Sequence, residues 1–135
     1  MQGREDLDSF LEKWRLRWPE WRVVEAFVPA AARDVAIAWL GQEVADAAWG
    51  GVDPRPGEAK LGWWAEELLG WSKGARRHPL ARVLQPRDAP WATLAGSLPG
   101  LHEARERAAD FDEARAILRP HAVAVAAVSL ALDGA

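Results

Sequence analysis

Residues 29–49, PAAARDVAIAWLGQEVADAAW, have helical periodicity but almost no wet face. Ile37, Leu40, Val44 and Ala48 make one apolar stripe, and Ala32, Val35, Ala36 and Trp39 make another. A helix that is apolar on several sides must be surrounded by other elements. The chain therefore has to build a bundle around this segment. Gly50-Gly51 stop it. Elsewhere alanine, leucine, arginine and glutamate dominate, and these favour helix. No stretch alternates apolar and polar residues for long, so no strand is expected. The expected class is all-α, a helical bundle forming a single domain over residues 1–135.

The other helices follow from apolar spacing and from proline and glycine punctuation. Leu7, Phe10, Leu11, Trp14 and Trp18 fall at steps of three and four, which predicts a helix over 7–18. Its wet face holds Glu12, Lys13, Arg15 and Arg17. A short helix follows Pro19, with Trp21, Val24, Phe27 and Val28 expected to face inward. Leu61, Trp64, Leu68 and Trp71 predict a helix over 56–73, opened by Asp53, Pro54 and Pro56 and closed by Gly74. Shorter helices are expected over 78–85, 90–98 and 101–107, with Pro99-Gly100 as a break. Asp110 reads as the N-cap of a helix over 111–118. Pro120 is expected to kink or restart the chain before a last helix reaching 132.

Composition narrows the function classes. The chain has 17 basic and 20 acidic residues, a formal charge of −3, so nothing favours nucleic acid or an anionic membrane surface. No cysteine is present, which removes disulfides and thiolate metal sites. No uninterrupted apolar run of about 18 residues exists, so a membrane-spanning segment is not expected. The N-terminal segment is charged and lacks a signal-peptide core, so a cytoplasmic location is the default expectation. Nine tryptophans and no tyrosine mean that large flat side chains carry the packing.

Three constellations could carry chemistry. Glu43 and Asp46 lie three residues apart on one face of the apolar central helix. Buried there, carboxylates need a cation: they read as a Mg²⁺ site for a phosphate-bearing ligand, as a solvated stripe, or as an ion pair with an arginine from a neighbouring helix. Lys73, Arg76, Arg77 and Arg82, with His78, form a basic run suited to diphosphate or to a solvated helix end. Trp39, Trp49 and Trp64 are candidate pocket-lining residues. His78, His102 and His121 match no metal-ligand spacing, and no nucleophile elbow or phosphate loop is present. Glu103, Arg105, Glu106 and Arg107 read as an exposed charged face. No catalytic residue, metal ligand or cofactor is assigned; Mg²⁺ enters only if Glu43 and Asp46 hold it.

Residues 59–84, AKLGWWAEELLGWSKGARRHPLARVL, resemble the squalene/phytoene synthase family. The resemblance rests on Lys60, Leu61, Trp63, Trp64, Glu66, Glu67, Leu68, Gly74, His78 and Pro79. Residues 110–132 are similar to the family segment in which a phenylalanine-led helix enters a long apolar one. The likeness covers roughly residues 24–132 and implies the N-terminal half of the isoprenoid synthase bundle. The family uses two aspartate-rich motifs to bind prenyl diphosphates through Mg²⁺. Where the first motif should lie, this chain reads Gln42-Glu43-Val44-Ala45-Asp46-Ala47-Ala48-Trp49. The motif's outer aspartates align with Ala45 and Trp49, and the second motif would lie beyond residue 135. The resemblance thus implies a degenerate member without prenyl transfer. Prenyl-lipid binding or support of isoprenoid biosynthesis would be its residual role.

Two alternatives stand beside that reading. One is a self-associating helical interaction module; the other is a fragment of a longer synthase-like protein. Half a bundle leaves apolar faces, and residues 37–44 and the 123–132 segment are the candidates for self-association. A homo-oligomer, such as a twofold dimer, is the expected partner state.

Overall fold

The computed structural model describes residues 2–27 and 33–133. Among them it holds eight helices and no strand. They are α1 (Gln2–Arg17), α2 (Glu20–Glu25), α3 (Arg33–Trp49), α4 (Arg55–Trp71), α5 (Ala81–Leu84), α6 (Trp91–Ser97), α7 (Pro99–Arg107) and α8 (Phe111–Asp133). The chain is all-α, as its residue pattern implies. Side chains of residues 33–35 fall outside the described set, as do Val28 and Ala32.

Helix α3 packs on α4, α5 and α7, while α6 lies against α4 and α8. Helix α7 bridges α3, α4, α6 and α8. The α1 stripe behaves as its spacing implies: Leu7, Leu11 and Trp14 are buried, with Phe10 and Trp18 at the edge. Residues Leu61, Trp64, Leu68 and Trp71 of α4 are buried together. Aromatic rings fill the centre. Trp21 stacks on Trp39 at 4.1 Å between centroids, Trp14 on Trp18 at 5.1 Å, and Trp71 meets Trp91 edge-on at 5.1 Å. The indole N–H groups of Trp14, Trp39 and Trp64 are buried with no hydrogen-bond acceptor.

Two glycines are required by geometry. A Cβ on Gly57 would lie 2.0 Å from the Ala47 carbonyl oxygen, so α4 crosses α3 closely there. Gly51 has φ of 73°, a left-handed conformation suited to the stop after α3. Arg105 of α7 completes that stop. Its Nη1 donates to the carbonyls of Ala48 and Gly50 at 3.1 and 3.0 Å, and its Nη2 donates to Gly51 at 2.6 Å. A guanidinium there satisfies orphan carbonyls and complements the helix dipole. The expectation that Arg105 belongs to an exposed charged face is therefore corrected.

Several boundaries also differ from expectation. Val24 and Phe27 are exposed, not inward, because α2 is only six residues long and buries none of them. Helix α6 ends at Ser97, just before Pro99, as expected, but Pro99 itself opens α7, where a missing N–H costs no hydrogen bond. Helix α8 runs through Pro120 without a restart. Pro120 and Ala116 are both exposed, so the carbonyl that loses its donor faces solvent. Uninterrupted, α8 is, among the described residues, the one helix long and apolar enough to cross a membrane by length and composition. Only Ala124, Val128 and Leu132 of α8 are buried.

Candidate functional site

Helix α3 presents two unlike flanks. The first carries Glu43 and Asp46 toward α1. Glu43 is 2% exposed. It lies 3.1 Å from Lys13 Nζ of α1 and 3.5 Å from Lys60 Nζ of α4. Asp46 lies 2.7 Å from Arg17 Nη2. Both carboxylates are thus paired with cations of neighbouring helices. The same cations also sit over aromatic rings: Lys13 over Trp14 at 4.7 Å and Arg17 over Trp18 at 4.8 Å. Among the described residues, no three histidine, aspartate or glutamate side chains form a group that could hold a metal ion.

Beside this flank lies a second buried carboxylate, Glu67 of α4, which fastens the stretch after the helix. Its Oε2 accepts from the Trp71 indole at 2.9 Å and from the backbone N–H groups of Arg77 and His78 at 3.0 and 2.8 Å. Its Oε1 accepts from Arg77 Nε at 3.1 Å. Burial alone would raise its pKa. The hydrogen bonds outweigh that and hold the carboxyl below its ordinary value. Arg77 is therefore engaged with Glu67. Lys73, Arg76 and Arg82 are exposed.

His78 follows directly. It packs against Phe10, Trp63 and Trp64, with ring centroids 4.4, 6.0 and 4.6 Å away. Its Nδ1 accepts from the Leu80 N–H at 3.1 Å. Burial pushes its pKa down to about 4, although Glu43 and Glu67 pull it upward; Lys13 and Lys60 lower it further. A histidine this far down is neutral near pH 7 and serves here as a packed ring.

The other flank of α3 opens on an apolar cleft of about 300 Å³. Ile37, Leu40, Gly41, Val44, Ala45 and Trp49 form its α3 wall. Leu94 of α6, Leu101 of α7 and Leu118, His121, Ala122, Val125 and Val128 of α8 complete it. Trp49 is half-exposed on this cleft, whereas Trp39 and Trp64 are fully buried in the core. Among the described residues, the cleft's one titratable wall residue is His121. Its Nδ1 lies 3.0 Å from Ser97 Oγ, which is also 2.7 Å from the Leu94 carbonyl. The hydroxyl hydrogen has one destination at a time. When it goes to Leu94, His121 Nδ1 donates to Ser97 and Nε2 is an acceptor. Burial lowers the His121 pKa, which favours the neutral ring in either tautomer.

Of the three tryptophans expected to line a pocket, Trp49 lines this cleft, and the other wall residues carry no local motif. The Ser97–His121 contact joins residues 24 apart and leaves no local motif. Compared with known proteins, the chain matches no family model, no curated protein and no solved structure.

Proposed function

We propose that this chain is a degenerate synthase-like helical protein that holds an uncharged isoprenoid-type chain in the α3–α8 cleft and transfers no prenyl group. The observation that carries the reading is the lining of that cleft. Among the described residues its walls are apolar apart from His121, and neither a carboxylate nor a cation lines it. Ala45 and Trp49, the positions aligned with the synthase family's outer aspartates, are both wall residues. The remaining carboxylates, Glu43 and Asp46, are engaged with Lys13, Lys60 and Arg17. Ionising a prenyl diphosphate draws on metal-held charge stabilisation, and none of the described residues lining this cleft supplies it. An alcohol head fits better, because it donates to a neutral imidazole.

The experiment is a titration with farnesol, followed by tryptophan fluorescence. A saturable change is expected in the wild type and is expected to shrink in Trp49→Phe. In Ala45→Phe the cleft is filled from an exposed position, and binding is lost at an unchanged melting temperature. Undiminished binding in Ala45→Phe, or turnover of farnesyl diphosphate with Mg²⁺, overturns the proposal.

A second reading, self-association, draws on a different observation. Val123, Val125 and Leu130 of α8 are exposed on a helix that buries little of its apolar content in its own core.

A further inference from the structure

The exposed side of α8 has an ordered composition. Arg119, Ala122, Ala126, Ser129 and Asp133 recur at steps of three, four, three and four, the spacing of a helix–helix seam. Arg119, Ala122, Ala126 and Asp133 are exposed and Ser129 is half-exposed. Val123 and Leu130 flank this seam at 56% and 72% exposure. Its centre is small, which lets two helix backbones approach closely. Its ends carry opposite charges, and neither Arg119 nor Asp133 has an ion-pair partner among the described residues.

The two charged ends, Arg119 and Asp133, each lie seven residues from Ala126. We infer that two copies of this chain pair through antiparallel α8 helices, with Ala126 on the twofold axis and Arg119 of each copy against Asp133 of the other. The proposal deepens the self-association reading and rests on it, not on the cleft ligand. In this register Ala122 meets Leu130 of the partner subunit, and Val123 meets Ser129 of the partner subunit. The interface is isologous, so every contact occurs twice. A parallel pair would set Arg119 against Arg119 and Asp133 against Asp133, which charge repulsion disfavours. The charge pattern thus selects both the occupant and its direction. Because Ala122 also lines the cleft, the partner's α8 would run along the cleft's rim.

The chain has no cysteine, so a single introduced thiol is a clean reporter. Under mild oxidation, Ala126→Cys is expected to form a disulfide-linked dimer efficiently. Ala116→Cys, whose two copies this register holds about 30 Å apart, is expected to stay reduced. Sedimentation equilibrium supplies the second arm. Arg119→Asp or Asp133→Arg alone should weaken the dimer about tenfold, and the double swap should restore it. All of these positions are exposed, and circular dichroism verifies folding in each variant. A dimer that cross-links equally at both cysteines, or ignores the charge swap, overturns this register while leaving self-association standing. A monomer at high concentration overturns both. So does a chain that floats with phosphatidylcholine vesicles and shows no dimer, which would assign the face to a membrane.

Discussion

The two flanks of α3 differ in how they treat charge. Toward α1 and α4 the helix buries carboxylates and surrounds them with lysine, arginine and aromatic faces. Toward α8 it places Ala45 and Trp49 against an apolar cleft. One helix thus separates a charge-satisfied, tryptophan-packed side from a side where the described wall residues are almost all apolar. The first side is where stability resides and the second is where a ligand could enter. Substitutions on the first side should move the melting temperature, and substitutions on the second should move binding.

The largest expected effect tests whether the charged side is structural. Glu67→Ala strands the Trp71 indole, two backbone N–H groups and the Arg77 guanidinium. Removing one member of a buried, hydrogen-bonded charge network costs about 3–5 kcal/mol, read by urea unfolding. A loss below about 1 kcal/mol would break the contrast between the flanks.

Next in size is a pair of tryptophans on the same helix. Trp71 donates to Glu67, whereas the Trp64 N–H is buried without an acceptor. Trp71→Phe removes a hydrogen bond to a charged group and should cost about 1.5–3 kcal/mol more than the packing change alone. Trp64→Phe removes an unpaired donor, so its loss should be the smaller of the two. The reverse order would mean that the Glu67 network does not depend on the indole.

Acid stability sharpens the same point. His78 has its pKa depressed to about 4 in the fold and near 6.5 when unfolded. Between those values the unfolded chain binds more protons, so stability falls as pH is lowered from about 6.5 to 4. The slope should reach at most about 1.4 kcal/mol per pH unit from this group. His121 adds to it in the same direction. Glu67, also depressed, withdraws its contribution only as pH falls through its lowered value, below the ordinary 4.5. His78→Asn, whose amide oxygen can accept from Leu80, should flatten the upper part of this profile. An unchanged slope would show that His78 titrates freely in the fold.

The smallest effect belongs to the rim of the charged side. Lys13 is half-exposed and Lys60 nearly so. Each alone, replaced by alanine, should cost less than about 1 kcal/mol, because the other lysine still faces Glu43.

The sequence was informative where a signal is local. The apolar stripe of α1 and the Leu61–Trp71 spacing of α4 could be read from side-chain period alone. So could the stop at Gly50-Gly51, since glycine there answers a backbone requirement. Contacts distant in sequence could not be read. Arg105 caps α3 from 54 to 57 residues away and looks, in its own segment, like any solvated arginine. The pairing of Glu43 and Asp46 with α1 likewise depends on how helices are placed, so spacing alone left a metal, a solvated stripe and an ion pair all open. Pro120 misled because a proline's cost depends on where the orphaned carbonyl points, and here it points outward. The cleft has no motif because it is the space left between α3 and α8.

The most direct test of the central claim is calorimetric titration of the chain with farnesyl diphosphate, with and without Mg²⁺, in the wild type and in Asp46→Asn. If Glu43 and Asp46 are held by Lys13, Lys60 and Arg17, Mg²⁺ should leave the binding isotherm unchanged in both proteins. Mg²⁺-dependent binding in the wild type that disappears in Asp46→Asn would contradict the account.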